Sequence, residues 1–237
     1  MLRELADLLM PRECLVCGRE LGAEERHLCI WCAADLPFTY NWERVHNPMA
    51  DEFNAVLERH RADGEKMDYA HAAALLLYHH ENPYKRIPQA LKYGYQLRAG
   101  RYFASMLGRR LAGSEAFTGV DTVIPVPLHP WRRWRRGYNQ AEVIAGRLAR
   151  SLGATLRPRA LVRARRTRSQ TRLDAEARLQ NVRGAFRLRR PFQASHVLLV
   201  DDTFTTGATL AACYEAVRAG LGPAVRISIA TLSLVDG

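Results

Sequence analysis

Lysine is scarce in this chain. Only Lys66, Lys85 and Lys92 occur among 35 basic residues, so arginine carries nearly all the positive charge. Acids are scarce in one region. From Trp131 to Arg190, Glu142, Asp174 and Glu176 stand against eighteen arginines, a local charge of +15 in a chain of net +11. Guanidinium groups favour bidentate contacts with phosphate oxygens. A surface for a polyanion, nucleic acid or pyrophosphate, therefore stands against a solvated basic face as the reading of this stretch. An apolar run of membrane-spanning length is also missing, which argues against membrane insertion. The first ten residues place Leu2, Leu5, Leu8 and Leu9 at helical spacing. They also carry Glu4 and Asp7 and lack a small-residue cleavage site, so a short amphipathic helix is expected there and not a secretory signal. With 48% hydrophobic residues over 237 positions, the chain has enough apolar mass for one large domain, or a domain with an appendage.

Cysteine is confined almost entirely to one place. Cys14-Leu15-Val16-Cys17 is followed after eleven residues by Cys29-Ile30-Trp31-Cys32. Two such knuckles offer four thiolates, the donor set of a closed tetrahedral Zn²⁺ site whose role is structural. Gly18 suits the tight turn after the first knuckle. Disulfides are the rival reading, disfavoured in a reducing compartment. His27 is near enough to Cys29 to replace one ligand, with a loop position as its alternative. Cys213 stands alone and reads as a small core residue.

Between the knuckles and the second half, Pro37 to Glu65 shows little periodicity. It contains the turn signals Asn47-Pro48 and Asp63-Gly64, so a connector with short elements is expected. The apolar run Tyr69 to His80 fits a buried strand or a helix. Tyr84 to Tyr93 reads as a helix shortened or kinked by Pro88, and Arg101 to Ala112 as a second helix. Thr122 to Pro127 reads as a strand entering an arginine-rich loop, Leu128 to Tyr138. Asn139 is then expected to cap a helix, with Glu142 as its capping-box partner. Strand, Arg136-Gly137 loop and helix start together form anion-site architecture, so Arg136 and Gly137 are expected to hold a pyrophosphate. Ala164 to Phe186 is polar and arginine-rich. A short helix at Leu173 to Leu179 and a flap closing Gln170 over a diphosphate are expected there.

The most informative segment is Val197-Leu198-Leu199-Val200-Asp201-Asp202-Thr203-Phe204-Thr205-Thr206-Gly207-Ala208-Thr209. A buried strand delivers two carboxylates to its carboxyl end, where open α/β sheets place ligands. The Thr205, Thr206, Gly207, Ala208, Thr209 loop then opens a helix. Its free N–H groups and positive end suit a phosphate. Acids for sugar hydroxyls and Mg²⁺, beside a phosphate loop, describe a site for a phosphorylated ribose. Leu210, Cys213, Tyr214 and Val217 form the inward face of the following helix, and Val225 to Leu232 alternates as a final strand. Strand and helix alternate over residues 120–237, which predicts a mainly parallel sheet with helices on both faces.

The acid-pair segment resembles the signature of the phosphoribosyltransferases, which bind phosphoribosyl pyrophosphate (PRPP). That resemblance implies that Asp201 and Asp202 contact the ribose hydroxyls and that residues 205–209 hold the 5′-phosphate. Thr203 departs from it, being polar where an aliphatic residue is usual. The whole chain resembles the ComF (competence protein F) family. The likeness rests on the paired knuckles, Tyr84-Lys85-Arg86, Leu91-Lys92-Tyr93, Pro125-Val126-Pro127 and Arg136-Gly137-Tyr138-Asn139-Gln140. Gln170, Arg178, Asn181, Phe186 and the acid pair add to it. It implies an α/β, type I phosphoribosyltransferase-like fold, a mainly parallel sheet flanked by helices with a small N-terminal zinc-ribbon module. The expected division is a zinc ribbon at 1–40, a connector and helical hood at 41–118 and the phosphoribosyltransferase-like domain at 119–237. It further implies a cytoplasmic protein of DNA uptake with PRPP and Mg²⁺ at the acid pair, in contact with single-stranded DNA or competence-machinery proteins. Three readings stay open: a phosphoribosyltransferase whose acceptor the sequence does not identify, a non-catalytic PRPP or nucleotide sensor, and an arginine-rich single-strand handler using Trp131, Trp134 and Tyr138.

Overall fold

Long apolar runs become strands covered on both faces, as parallel sheets require. The computed structural model describes residues 12–59, 68–79, 81–93, 96–164 and 184–235. Strand β1 (Ala72–Tyr78) settles the Tyr69 to His80 ambiguity in favour of a strand. β2 (Thr122–Pro125), β3 (Thr155–Leu156), β6 (His196–Phe204) and β7 (Arg226–Val235) complete a five-stranded sheet of order β1-β7-β6-β2-β3, parallel throughout. β4 (Leu161–Arg163) and β5 (Phe186–Leu188) form a separate antiparallel pair. The architecture is thus mixed α/β with a mainly parallel sheet flanked by helices, as expected. The sheet also draws its edge strand β1 from residues ahead of position 120.

The helices are α1 (Ile30–Ala34), α2 (Pro48–Glu58), α3 (Arg86–Tyr93), α4 (Leu97–Ala112), α5 (Pro130–Arg136), α6 (Gln140–Leu152) and α7 (Ala208–Leu221). Side-chain alternation along β6 divides the core. Leu198 and Val200 join Leu91 of α3, Phe103 and Leu107 of α4 and Ile144 and Leu148 of α6 on one face. Val197 and Leu199 join Phe53 of α2 and Leu210, Cys213 and Tyr214 of α7 on the other.

Two segments differ from expectation. The Pro37 to Glu65 connector contains the eleven-residue α2. Asn47-Pro48 is a helix start and not a turn: the Asn47 Oδ1 accepts from the Ala50 N–H at 3.0 Å, and proline occupies the first helical position, where no N–H is needed. Met49, Phe53, Val56 and Leu57 then face the core at helical spacing. The loop Leu128 to Tyr138 likewise contains α5. Pro130 opens it, the His129 ring accepts from the Trp131 N–H at 3.2 Å, and Gly137 closes it at φ +76°. The same proline rule was the missed signal.

Smaller differences have local causes. Pro88 lies in the first turn of α3, where it removes no ladder bond. α4 begins at Leu97, four residues before Arg101. Asn139 caps α6 as expected, its Oδ1 accepting from Ala141, whereas Glu142 turns to Arg133 at 3.3 Å. The expected N-terminal helix, the helix at Leu173 to Leu179, and Gln170, Arg178 and Asn181 all lie outside the described residues.

The direction in which the connections step across the sheet reverses between the parallel neighbours β2 and β6. From β2 the chain passes through α6 to β3 at one edge; from β6 it passes through α7 to β7 on the other side. The carboxyl ends of β2 and β6 therefore flank a topological switch point, the place where an open sheet of this kind forms a ligand crevice.

Candidate functional site

Asp201 and Asp202 lie near the end of β6, at that switch point. The strand's alternation sends them apart. Asp202 meets Lys92 of α3, whose Nζ is 3.5 Å from its Oδ1 and donates to Thr203 Oγ1 at 3.0 Å. Thr203 also bonds Ser233 of β7 at 3.1 Å, which gives its polar side chain a place in the wall. Asp201 turns toward α7 and β4, into the field of Arg163 and Cys213. Its Oδ1 accepts from the Asp202 N–H at 2.8 Å.

Burial, followed by the adjoining Asp202 carboxylate, pushes the Asp201 carboxyl up to about 7. Lys92 experiences the opposing pulls. Burial works most strongly against its charge, but Asp202, Tyr78 and Asp201 together raise its pKa above the ordinary lysine value. Two neighbouring carboxyls, with an ammonium beside one of them, form a set that suits sugar hydroxyls or a divalent cation.

A cavity of about 460 Å³ opens over these groups. Of the sequence-predicted residues, Asp201, Asp202, Thr205, Thr209 and Arg136 line it. Gly207 lies just behind it and caps α7 at φ +67°. A side chain there would come within 3.0 Å of the Phe204 ring, so only glycine fits both the turn and the space. Ala208 is buried as the first helical residue and Thr206 is half-buried beside it. Gly137 acts one step back, ending α5 so that the chain can enter α6.

Sequence reasoning did not place Lys92, Tyr93, Gln140 or Arg163 in the site, yet all four line the cavity. Two tracts that were separate in the sequence meet here. The Tyr138 hydroxyl donates to the Leu91 carbonyl, and the Arg136 guanidinium lies 5.1 Å above the Tyr93 ring. Tyr93, Trp131 and Trp134 are 62%, 56% and 82% exposed at and near the rim, with the Arg135 guanidinium 5.2 Å from the Trp131 ring centroid. The arginines between the tryptophans are exposed as well.

The four knuckle cysteines also converge. The sulfurs of Cys14, Cys17, Cys29 and Cys32 all lie within 4.8 Å of one another, with Cys17 and Cys29 3.7 Å apart. Tetrahedral Zn–S bonds of about 2.3 Å require sulfur separations near ~3.8 Å, so the cluster fits such a metal. For Cys14, burial opposes ionisation, but N–H groups of Cys17, Cys29 and Val16 prevail and bring it down to about 6. Burial and the neighbouring thiols push Cys32 up. His27 is not in the cluster; its ring packs 5.3 Å from Tyr102. Cys213 is buried on α7, as expected of a core residue. Arg86 ties the module to α3 by donating to the Val16 carbonyl at 2.8 Å, and the Tyr84 hydroxyl reaches the Cys32 carbonyl at 3.1 Å. No helix among the described residues is long and apolar enough to cross a membrane.

No protein-family model matches the chain. The chain is similar to three curated relatives over part of its length. It is 34% identical over 132 residues, 54% of this chain and 58% of the relative, to the DNA utilization protein YhgH of Salmonella typhi. It is 42% identical over 91 residues, 38% of this chain and 40% of the relative, to the protein of the same name in Escherichia coli (strain K12). It is 42% identical over 93 residues, 38% of this chain and 41% of the relative, to Competence protein F of Haemophilus influenzae. The chain thus spans about half the length of the relatives it matches.

Proposed function

We propose, from relatives that support assignment of this chain to the ComF family, that it binds a phosphorylated ribose, PRPP in the first instance, and serves DNA uptake or use. One observation carries the ligand: the acid pair, the amino end of α7 and Arg136 open into one cavity at the switch point. Asp201 and Asp202 take the ribose 2′- and 3′-hydroxyls. Thr205, Thr206, Gly207, Ala208 and Thr209 hold the 5′-phosphate with backbone N–H groups and hydroxyls, aided by the helix dipole. Arg136, on the helix that Gly137 ends, balances the pyrophosphate.

Mg²⁺ would suit the same acids, because a divalent cation offsets the burial and, after it, the Asp202 repulsion that raise Asp201. When bound, it supplies charge neutralisation for the diphosphate. Lys92 holds Asp202 in place from the α3 side. In a transfer reaction these residues would position the ring and stabilise developing charge.

The test is a thermal melt of the full chain with PRPP and Mg²⁺. A rise in melting temperature is expected for the wild type and its loss for Asp202→Asn. An equal rise in both proteins would remove the ribose assignment. Pyrophosphate release with each common base separates a transferase from a sensor, since a sensor shifts its melt without turnover.

A second reading has its own support. Trp131, Trp134 and Tyr93 are exposed aromatic residues among arginines, a pattern that stacks bases and follows a phosphate backbone. Single-stranded DNA should then bind with an affinity that falls steeply with salt. Weak binding with a flat salt dependence would exclude this reading.

A further inference from the structure

A second concavity, of about 360 Å³, lies between the cysteine module and α4 and shares no residue with the cavity over the acid pair. Leu36 and Phe38 line it from the module side. Tyr102, Met106, Arg109 and Arg110 line it from α4. Positions 102, 106 and 109 follow one another at helical spacing, so one stripe of α4 supplies that wall. Leu36 is buried and Phe38, Tyr102 and Met106 are half-buried, whereas Arg109 and Arg110 are exposed. The groove is therefore apolar inside and cationic at its edge.

Neither cation has a counter-charge. Among the described residues no acid lines the groove, and no ion pair includes Arg109 or Arg110. Aromatic rings hold Arg110 instead: its guanidinium lies 5.7 Å from the Phe38 centroid and 5.6 Å from that of Trp42. Such stacking fixes the plane of the fork and leaves its N–H edge for a carboxylate. The apolar surface continues beyond the groove. α1 buries none of its residues, and Ile30 and Trp31 are each 68% exposed. Ile30 stands one turn before Ala33, which also lines the groove. Apolar side chains left in water beside a polar-edged groove mark a surface for another protein.

Charge and shape together select the occupant. A neutral apolar ligand would leave both guanidinium groups without acceptors. A nucleic-acid strand needs open ring faces for its bases. Here Arg110 lies over Phe38, and His27 and Phe103 pack 5.3 Å and 5.2 Å from Tyr102. An acidic peptide satisfies both parts of the groove. We propose that this groove docks an acidic segment of a partner protein. A large apolar side chain of that segment sits among Leu36, Phe38, Tyr102 and Met106, and its carboxylates pair with Arg109 and Arg110. The docking site is independent of what the cavity at the strand ends binds.

A display library of short random peptides, panned on the full chain, tests this. The enriched peptide is then synthesised with a fluorescent label and titrated by anisotropy at physiological salt. Enrichment of sequences that combine aspartate or glutamate with phenylalanine, leucine or tryptophan is expected. Arg109→Glu and Arg110→Glu should each weaken the labelled peptide by about tenfold or more. Arg101→Glu, which alters an exposed arginine of α4 outside the groove, should change it by less than about twofold. Serine in place of the peptide's large apolar residue should weaken binding as much as Arg109→Glu does. If loss of the Arg110 stacking disturbs folding, Arg109→Glu carries the test, with a wild-type melting temperature as its control. Enrichment of neutral or basic peptides, no enrichment at all, or binding unmoved by Arg109→Glu would overturn the proposal. Oligothymidylate titrated in parallel should bind Arg109→Glu as tightly as the wild type. A matching loss of oligothymidylate and peptide would give the groove to nucleic acid and overturn the peptide assignment.

Discussion

Burial, and after it the Asp202 carboxylate, push the carboxyl of Asp201 up to about 7 from an ordinary 3.8. A raised value means that the folded state holds the proton more tightly than the unfolded chain does. The associated stability is complete below about pH 4 and is lost as pH rises through 7. Asp201→Asn, which cannot ionise, should therefore melt like the wild type near pH 4. At pH 8 it should be more stable by about 2–4 kcal/mol. Identical melting curves at pH 8 would show that the carboxylate is not under this strain. The same groups predict that ligand binding through an ionised acid pair strengthens from pH 6 to pH 8, which titration with PRPP and Mg²⁺ at the two values would read. Lys92 belongs to this scale too. It is one of the chain's three lysines, and that rarity was the available signal for its role. Nothing local connects it to Thr203, 111 residues later, whose hydroxyl it reaches.

Single elements place the phosphate loop. α7 begins directly after Gly207 because the chain turns left-handed there with the Phe204 ring packed against it. Gly207→Ala should cost about 1–3 kcal/mol in a denaturant melt through backbone strain and crowding. It should also weaken ribose 5-phosphate, since any relief of that strain moves the helix start. A substitution that leaves both properties intact would mean that the loop tolerates another turn. This element was legible in advance, because a buried strand, two acids, a glycine turn and an apolar helical face all fall within one short segment. α2 and α5 were not. In both, proline followed a residue able to cap, and that pair fits a turn or a first helical turn equally well until the core-facing side chains decide.

Across the whole molecule the cysteine module is a supporting wall for the α3 side of the sheet. Cys14, Val16, Leu21, Leu28, Cys29 and Leu36 share one apolar cluster with Ile87, Leu91 and Phe103, and Leu91 immediately precedes Lys92. Metal at the four sulfurs would thus stabilise the helix that presents Lys92 to Asp202. Protein purified without added metal should contain one equivalent of zinc by elemental analysis. Its removal by a strong chelator should lower the melting temperature by several degrees or more, and Cys17→Ser should do the same. Disulfides found by mass spectrometry, or a melt unmoved by chelation, would refute a structural metal.

The amino-acid order alone determined the features whose parts are chain neighbours. These are the thiol knuckles, the strand ending in two acids, the glycine-bearing turn and the apolar periodicities that make a parallel α/β sheet. Local spacing sets which face a side chain occupies, so such patterns survive without knowledge of the fold. Packing decided the rest: that α3 crosses to bring Lys92 against Asp202, that Tyr138 ties Arg136 to the same helix, and that Gln140 and Arg163 come to the wall of one cavity. Those contacts join residues far apart in the chain, and their geometry comes from how the layers close around the sheet.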